Sequence, residues 1–380
     1  MSSRQTFFLM AITLPVYKLA VLPSYLYSVA GRDMWLTCLC MILLDVAVLC
    51  MIYIIKSRIG VLNFTNKYLN FGAKGLALVF CIYFLFQISL LSCETVEYLQ
   101  GYFFDENNRI QMIIPIVLCS VYLAYKGEKT LGRCAEVFIW GLVLTVGISI
   151  IFNSAKPDPD NLFPILDENG GEKLLSGYNV FLWFGDFLPL LFIDVKDRKK
   201  KGSTLVLLGS LGIGICTVLL FAVFTMQWGE MTENVPNAFV RLAGYNFISA
   251  DVGKADWIAI LHWLGSCVIK ISFTLLGAVN AFSYVFGDKP RKIVSVCFGL
   301  VIFSLLTFVI KDVQIEFSFG VDVRFLGFIL SLVLPFVLCV ASVFSQKTVS
   351  DDIVEENVER VTDEDYMDKK GDTYAQIADQ

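Results

Sequence analysis

The chain has 380 residues, 56% of them hydrophobic and only 17% charged, with a formal net charge of −5. A soluble domain of this size carries about 25% charge, so composition excludes an ordinary water-soluble enzyme or a basic nucleic-acid-binding protein. The apolar residues fall in repeated runs near the length needed to cross a hydrocarbon core, which predicts an all-α polytopic membrane protein embedded in a lipid bilayer.

In chain order the runs predict ten spans, near 7–30, 34–55, 75–103, 110–125, 131–152, 175–195, 203–227, 257–286, 293–310 and 325–345. The N-terminal run has no small-residue cleavage pattern after it and is read as a retained first helix. Alternate loops differ in Lys and Arg. The set after spans 2, 4, 6 and 8 carries fifteen, against eight in the opposite set, so the former faces the cytoplasm and both termini lie inside. Residues 346–380 hold eleven acidic and four basic residues and read as a solvated, disordered cytoplasmic tail. The eleven cysteines show no metal-ligand spacing and read as buried free thiols. No nucleophile–base set, cofactor motif or metal cluster is present.

The first span contains LPVYKLAVLPS (14–24), with Lys18 between Pro15 and Pro23. The sixth contains FLWFGDFLPLLF (181–192), with Gly185, Asp186 and Pro189. Ten spans divide into two sets of five, near 7–152 and 175–345, within one membrane domain over 1–345. The two interrupted spans then occupy matching positions, the pointer to a 5+5 inverted repeat with broken helices 1 and 6. A proline removes a backbone donor and frees a carbonyl one turn back. Such backbone survives at membrane depth only against protein or a polar cavity. Lys270 is a third charge at mid-depth, in span 8, with Ser266, Ser272 and Thr274 around it, and Gln87 is an amide near the middle of span 3. Each mid-membrane charge costs about 2.5–3.5 kcal/mol to insert, so paired, functional charges are expected. A fixed Lys18–Asp186 pair that only holds the bundle together is the competing reading. Glu94 and Glu97 are expected to face water at the outer end of span 3, and His262 to be a packed or interfacial residue.

Four stretches resemble the B-subunit family of spore germinant receptors, the spore germination permeases of the amino acid–polyamine–organocation superfamily. They are SSRQTFFLM with LPSYLYSVAGRDMWL (2–10 and 22–36), VYLAYKGEKTLGRCAEVF (121–138), PDPDNLFPIL (157–166) and WIAILHWLGSCVIKISFTLLGA (257–278). The AGRDxW element is the most specific of them, and the resemblance runs over about 2–347. It implies a subunit in the cell or spore inner membrane that senses a small germinant such as an amino acid and works with A and C receptor subunits. It places the ligand at the broken helices, on Val16, Tyr17 and Lys18 of span 1, Phe184, Gly185 and Asp186 of span 6, and Gln87. Lys270 with Ser266, Ser272 and Thr274 would stand in for a coupling ion. The sequence departs from the family at Val16, Tyr17 and Lys18, where a Gly-x-Gly-like element is usual. Lys18 therefore either binds a ligand carboxylate directly or closes the site on Asp186. An amino acid transporter, proton-coupled or uncoupled, and a structural subunit with a plugged site are the alternative functions.

Overall fold

The computed structural model describes residues 1–20, 22–59, 67–103, 109–151, 157–166, 170–175, 177, 180, 184–195, 200–235, 256–287, 290–309 and 321–343. The acidic tail over 346–380, most of the loop over 227–256 and the basic residues at 196–199 lie outside the described residues. The described residues are helical, without a strand. Seven of their helical runs are long and apolar enough to cross a membrane: Leu22–Arg58, Asn70–Gln100, Arg109–Lys126, Gly202–Asn234, Ile260–Phe286, Arg291–Val309 and Phe325–Val343. The outward faces carry Phe71, Leu118, Val137, Trp140, Leu208 and Phe308, all well exposed. This apolar exterior around a polar-containing interior is what a hydrocarbon solvent selects, and the protein is an integral membrane protein.

The first predicted span is interrupted. Helix α1 (Ser3–Thr13) opens on a capping box: the Ser2 hydroxyl accepts the Gln5 N–H, and the Gln5 side chain accepts the Ser2 N–H. It gives way to turns over Leu14–Ala20, because Pro15 offers no N–H to continue the ladder. Helix α2 (Leu22–Ala30) restarts with Pro23 in its first turn, where a missing donor costs nothing. A 3₁₀ turn at Gly31–Asp33, with Gly31 at φ +61°, leads into α3 (Met34–Ile59). Helices α4 (Lys67–Phe103), α5 (Arg109–Lys126) and α6 (Glu128–Ile151) follow, then the short α7 (Gly170–Leu175).

The sixth predicted span is interrupted as well. Its described part is the turn at Gly185–Phe187 and a 3₁₀ turn at Leu188–Phe192. Helix α8 (Lys200–Trp228), a 3₁₀ turn at Gly229–Asn234, α9 (Asp256–Phe286), α10 (Arg291–Ser304) and α11 (Val321–Phe328) complete the order. Both α10 and α11 run on into π turns, at Leu305–Val309 and Ile329–Val333.

Helix α9 is the central post. It packs on α4, α5 and α6, and it touches α1 and the Leu188–Phe192 turn. Helix α1 is held between α6 and α8. The 3₁₀ turn lies between α9 and α3. Phe192 seats it edge-on against Phe80 and Phe84 of α4, at centroid distances of 5.9 and 6.1 Å. Three side-chain or chain-end donors take the carbonyls at its end: Asn280 on Phe192 at 3.1 Å, Lys56 on Ile193, and the Met1 ammonium on Asp194 at 3.3 Å. Backbone freed by the break is thus satisfied by protein, as a dry interior requires.

The thiols need one correction. All eleven cysteines are free, but Cys40, Cys119, Cys216 and Cys297 are exposed on the outside of the bundle rather than buried. In an apolar solvent an outward thiol carries no desolvation penalty, so burial is not what an apolar run enforces.

The close approach of α9 to the 3₁₀ turn rests on Gly277, where an added Cβ would sit 2.7 Å from Pro189 Cβ and 3.0 Å from its Cα. Gly277→Val is expected to cost about 1–3 kcal/mol by overpacking. Gly72→Ala on α4, where a Cβ meets open space, should be neutral or slightly stabilising. Thermal melting of both variants in detergent micelles checks the pair.

Candidate functional site

The two interruptions meet. Lys18 leaves the turn between α1 and α2, Asp186 leaves the turn after Gly185, and the two side chains form a fully buried ion pair. Lys270 of α9 reaches the other carboxylate oxygen, with Nζ 2.6 Å from Asp186 Oδ1. The contact is a close ion pair whose alignment falls short of a hydrogen bond. Asp45 of α3 adds a second acid, its Oδ2 3.4 Å from Lys18 Nζ. No side chain of the four is more than 3% exposed. Two ammoniums and two carboxylates therefore sum to zero charge in a site that water does not reach, the condition under which buried charges are tolerated.

The backbone supports the cluster. Gly185 has φ +86°, a conformation that side-chain-bearing residues rarely adopt, and its N–H donates to Asp45 Oδ1 at 3.1 Å. Asp45 thereby bridges the sixth-span break to the Lys18 ammonium, one oxygen to each. A Cβ on Gly185 would come 2.8 Å from Ser331 Oγ, which pairs with the Tyr83 hydroxyl at 3.0 Å. The Phe184 ring lies under the Lys18 ammonium at 4.3 Å, and the Tyr17 ring is 5.1 Å from the Lys270 ammonium; both faces add cation–π attraction.

Tyr17 is pinned to α4. Its hydroxyl donates to the Leu91 carbonyl at 2.9 Å and lies 2.7 Å from Thr95 Oγ1. The Val16 carbonyl, freed by the break, accepts the Trp263 indole N–H at 3.0 Å, and Trp263 stacks edge-on with Tyr98 at 4.5 Å. The unwound stretch 14–20 is thus tied to α4 and α9 by hydrogen bonds between residues far apart in the chain.

Of the residues singled out from the sequence, Val16, Tyr17, Lys18, Phe184, Gly185, Asp186 and Lys270 come together. Gln87 is buried on α4, between the turns that carry Tyr83 and Leu91. Ser266, Ser272 and Thr274 turn back into α9, donating to the carbonyls of His262, Val268 and Lys270 at 2.7, 2.5 and 3.1 Å. They do not reach the Lys270 ammonium with those hydrogens. His262 packs beside Phe138, at a centroid distance of 6.5 Å. Glu94 is buried rather than facing water, because this part of α4, beside Leu91 and Thr95 that hold Tyr17, lies inside the bundle. Glu97 is half-buried on the same helix, where it accepts from Cys93, which in turn receives Arg109 at 3.2 Å.

Asp45 and Ser331 join the site without a prediction from the sequence. Asp45 had a signal, an acid inside the apolar run MILLDVAVL. Ser331 had none, since a lone serine in an apolar helix is ordinary. Among the described residues no group of His, Cys, Asp and Glu is arranged to hold a metal ion.

The described residues thus make a helical membrane protein in which two interrupted segments meet at a buried cluster of two ammoniums and two carboxylates. The comparisons with known proteins specify further. The family model described as spore germination protein matches residues 1–314, and the chain belongs to that family. It is similar to Spore germination protein KB of Bacillus subtilis (strain 168), with 22% identity over 363 residues, covering 91% of this chain and 95% of that protein. It is also similar to YfkT of the same strain, whose name also ties it to spore germination, with 24% identity over 179 residues, 47% of this chain and 49% of that protein.

Removing one member of the cluster leaves an unpaired buried charge. Lys18→Met is expected to cost about 3–5 kcal/mol of stability. The double change Lys18→Met with Asp45→Asn leaves the neutral Lys270–Asp186 pair and should recover at least half of that loss. Chemical unfolding of the single and double variants in micelles measures the difference.

Proposed function

We propose that this protein is the membrane subunit of a spore germinant receptor, which senses a small molecule such as an amino acid at mid-membrane. The ligand site lies between the Leu14–Ala20 break, α4, the Gly185–Phe192 segment and α9. In this reading the chain has ten spans in a 5+5 inverted repeat, with both termini and the acidic tail in the cytoplasm and A and C receptor subunits as partners. The single observation that carries the reading is the cluster of Lys18, Asp186 and Lys270 where the two breaks cross, in a chain of the spore germination family.

The chemistry follows from the pairing. Asp186 spends its two oxygens on two ammoniums. A ligand carboxylate that enters the site replaces Asp186 on Lys18 or Lys270, and the ligand ammonium takes the carboxylate so released. The exchange keeps the site neutral but cuts the tie between the first and sixth spans. It therefore favours a second arrangement of the bundle, and only a ligand that prefers that arrangement shifts the balance. Lys18 does here what backbone amides do where glycines line the break.

One observation favours a second reading. Lys18 is fully buried and contacts both Asp45 and Asp186, so the place of a ligand ammonium and the space of the missing glycines are already filled. The cluster is then a plug, and the subunit transmits a signal received elsewhere in the receptor.

Binding of amino acids, sugars and nucleosides to the purified protein separates the two. Under the sensing reading one class binds, and Asp186→Asn lowers its affinity by at least tenfold, as loss of a charged hydrogen-bond partner does. Spores carrying Asp186→Asn then lose the response to that ligand. No binding in any class, with germination retained in a Lys18→Met, Asp45→Asn spore, establishes the plug. Concentrative uptake of the ligand into proteoliposomes replaces sensing with transport.

A further inference from the structure

Two of the stretches that carry the family resemblance take no part in the charge cluster: AGRD (30–33) and PDPDNLFPIL (157–166). They meet in space. Arg32 Nη1 donates to the Phe163 carbonyl at 2.7 Å, and the Leu166 N–H donates to Asp33 Oδ1 at 3.1 Å. Leu166 holds φ +54°, an uncommon conformation for a residue with a branched side chain, and the buried Asp33 carboxylate takes its N–H. The other end of the loop is fastened to the end of α8, where Met226 O accepts the Asp158 N–H and the Asn161 amide, both at 3.0 Å. The loop is thus a built element held at both ends.

Beside this junction lies a cavity of about 510 Å³, within the range of small-molecule sites. Arg32 and Lys173 of α7 contribute positive charge to its lining; Glu230 and Glu233 of the Gly229–Asn234 turn contribute negative charge, as does Asp33, whose carboxylate already accepts the Leu166 N–H. Arg32 Nη2 and Glu230 form an ion pair at 3.2 Å, with side chains 41% and 84% exposed. A solvent-exposed pair of this kind is worth about 0–1 kcal/mol and exchanges readily for another partner.

We propose that this cavity binds a small zwitterion, its carboxylate on Arg32 and Lys173 and its ammonium on Glu230 and Glu233. A lone anion would meet the carboxylates and a lone cation the two bases; with Asp33 engaged by Leu166, a ligand with both charges matches the two bases and two glutamates that remain. Helix α2 joins the cavity to the Lys18 break across nine residues, roughly 13 Å of helix. The cavity is therefore a first station for a molecule of the class proposed above, on the side of the bundle where α2 ends. It nevertheless stands or falls apart from the buried site.

The test uses the purified full chain carrying Asp186→Asn, which disables the buried cluster, and radiolabelled L-amino acids in equilibrium dialysis. The expected result is retained binding of at least one amino acid. Its methyl ester, which lacks the carboxylate, and its N-acetyl derivative, which lacks the ammonium, should each bind at least tenfold more weakly. Lys173→Gln and Glu233→Gln should weaken the parent amino acid to a similar degree, with unchanged melting curves. Loss of all amino acid binding in Asp186→Asn protein overturns the proposal. So does equal binding of ester and N-acetyl forms, or an effect of the Lys173 and Glu233 changes confined to co-purification of another receptor subunit, which would make the cavity a docking surface. If the Asp186→Asn protein fails to fold, Lys173→Gln and Glu233→Gln are made in the otherwise unmodified chain: loss of one component of amino acid binding supports the cavity, and an unchanged binding curve overturns it. Loss of the response in Asp186→Asn spores speaks to the buried site alone.

Discussion

The structure depends on one constraint: an ammonium and a carboxylate, Lys18 and Asp186, placed where no water reaches them. Neither could remain charged there alone, because the desolvation cost of an isolated ion exceeds what any single contact returns. Lys270 and Asp45 complete the balance, and with them the four elements that carry these residues are obliged to converge. The interruptions in the first and sixth predicted spans serve the same end. A continuous helix would fix the Lys18 and Asp186 side chains on its own surface with their backbones satisfied. A broken one lets the chain bring carbonyls, amides and charges into one small volume.

The cost of the two interruptions inside the bundle is offset locally. Freed groups find partners: Val16 O on Trp263, Gly185 N–H on Asp45, and the carbonyls from Phe192 to Asp194 on Asn280, Lys56 and the Met1 ammonium. These partners come largely from α9, α3 and the N-terminus. The breaks are therefore properties of the whole bundle and not of the segments that contain them. On the proposed sensing reading, a ligand that replaces one charge contact acts on ties that reach four parts of the chain.

The relation of this chain to its family is visible in the same place. At the first break, Val16, Tyr17 and Lys18 supply packing, an anchor on α4 and a charge. Asp45 shares Lys18 with Asp186. Membership in the spore germination family sets the biological context of this cluster.

Much of this was legible in the residues. Charge is so costly in an apolar run that Lys18, Asp186 and Lys270 stood out, and the prolines beside the first two marked where the helices would break. Asp45 was as visible by the same criterion, yet no proline or partner in sequence pointed to its role. Distances between segments were not legible. Nothing local says that Arg32 meets Phe163, that Tyr17 reaches Thr95, or that Ser331 fills the space beside Gly185. Nor could residue type tell that Ser266, Ser272 and Thr274 would bond within their own helix, or that Glu94 would be enclosed. The sequence by itself determined the solvent, the helical class and the charges that must find partners, since these follow from transfer energies of individual residues. Only the tertiary structure decided which partners they found, because pairing at membrane depth depends on where long helices cross and which of their faces meet.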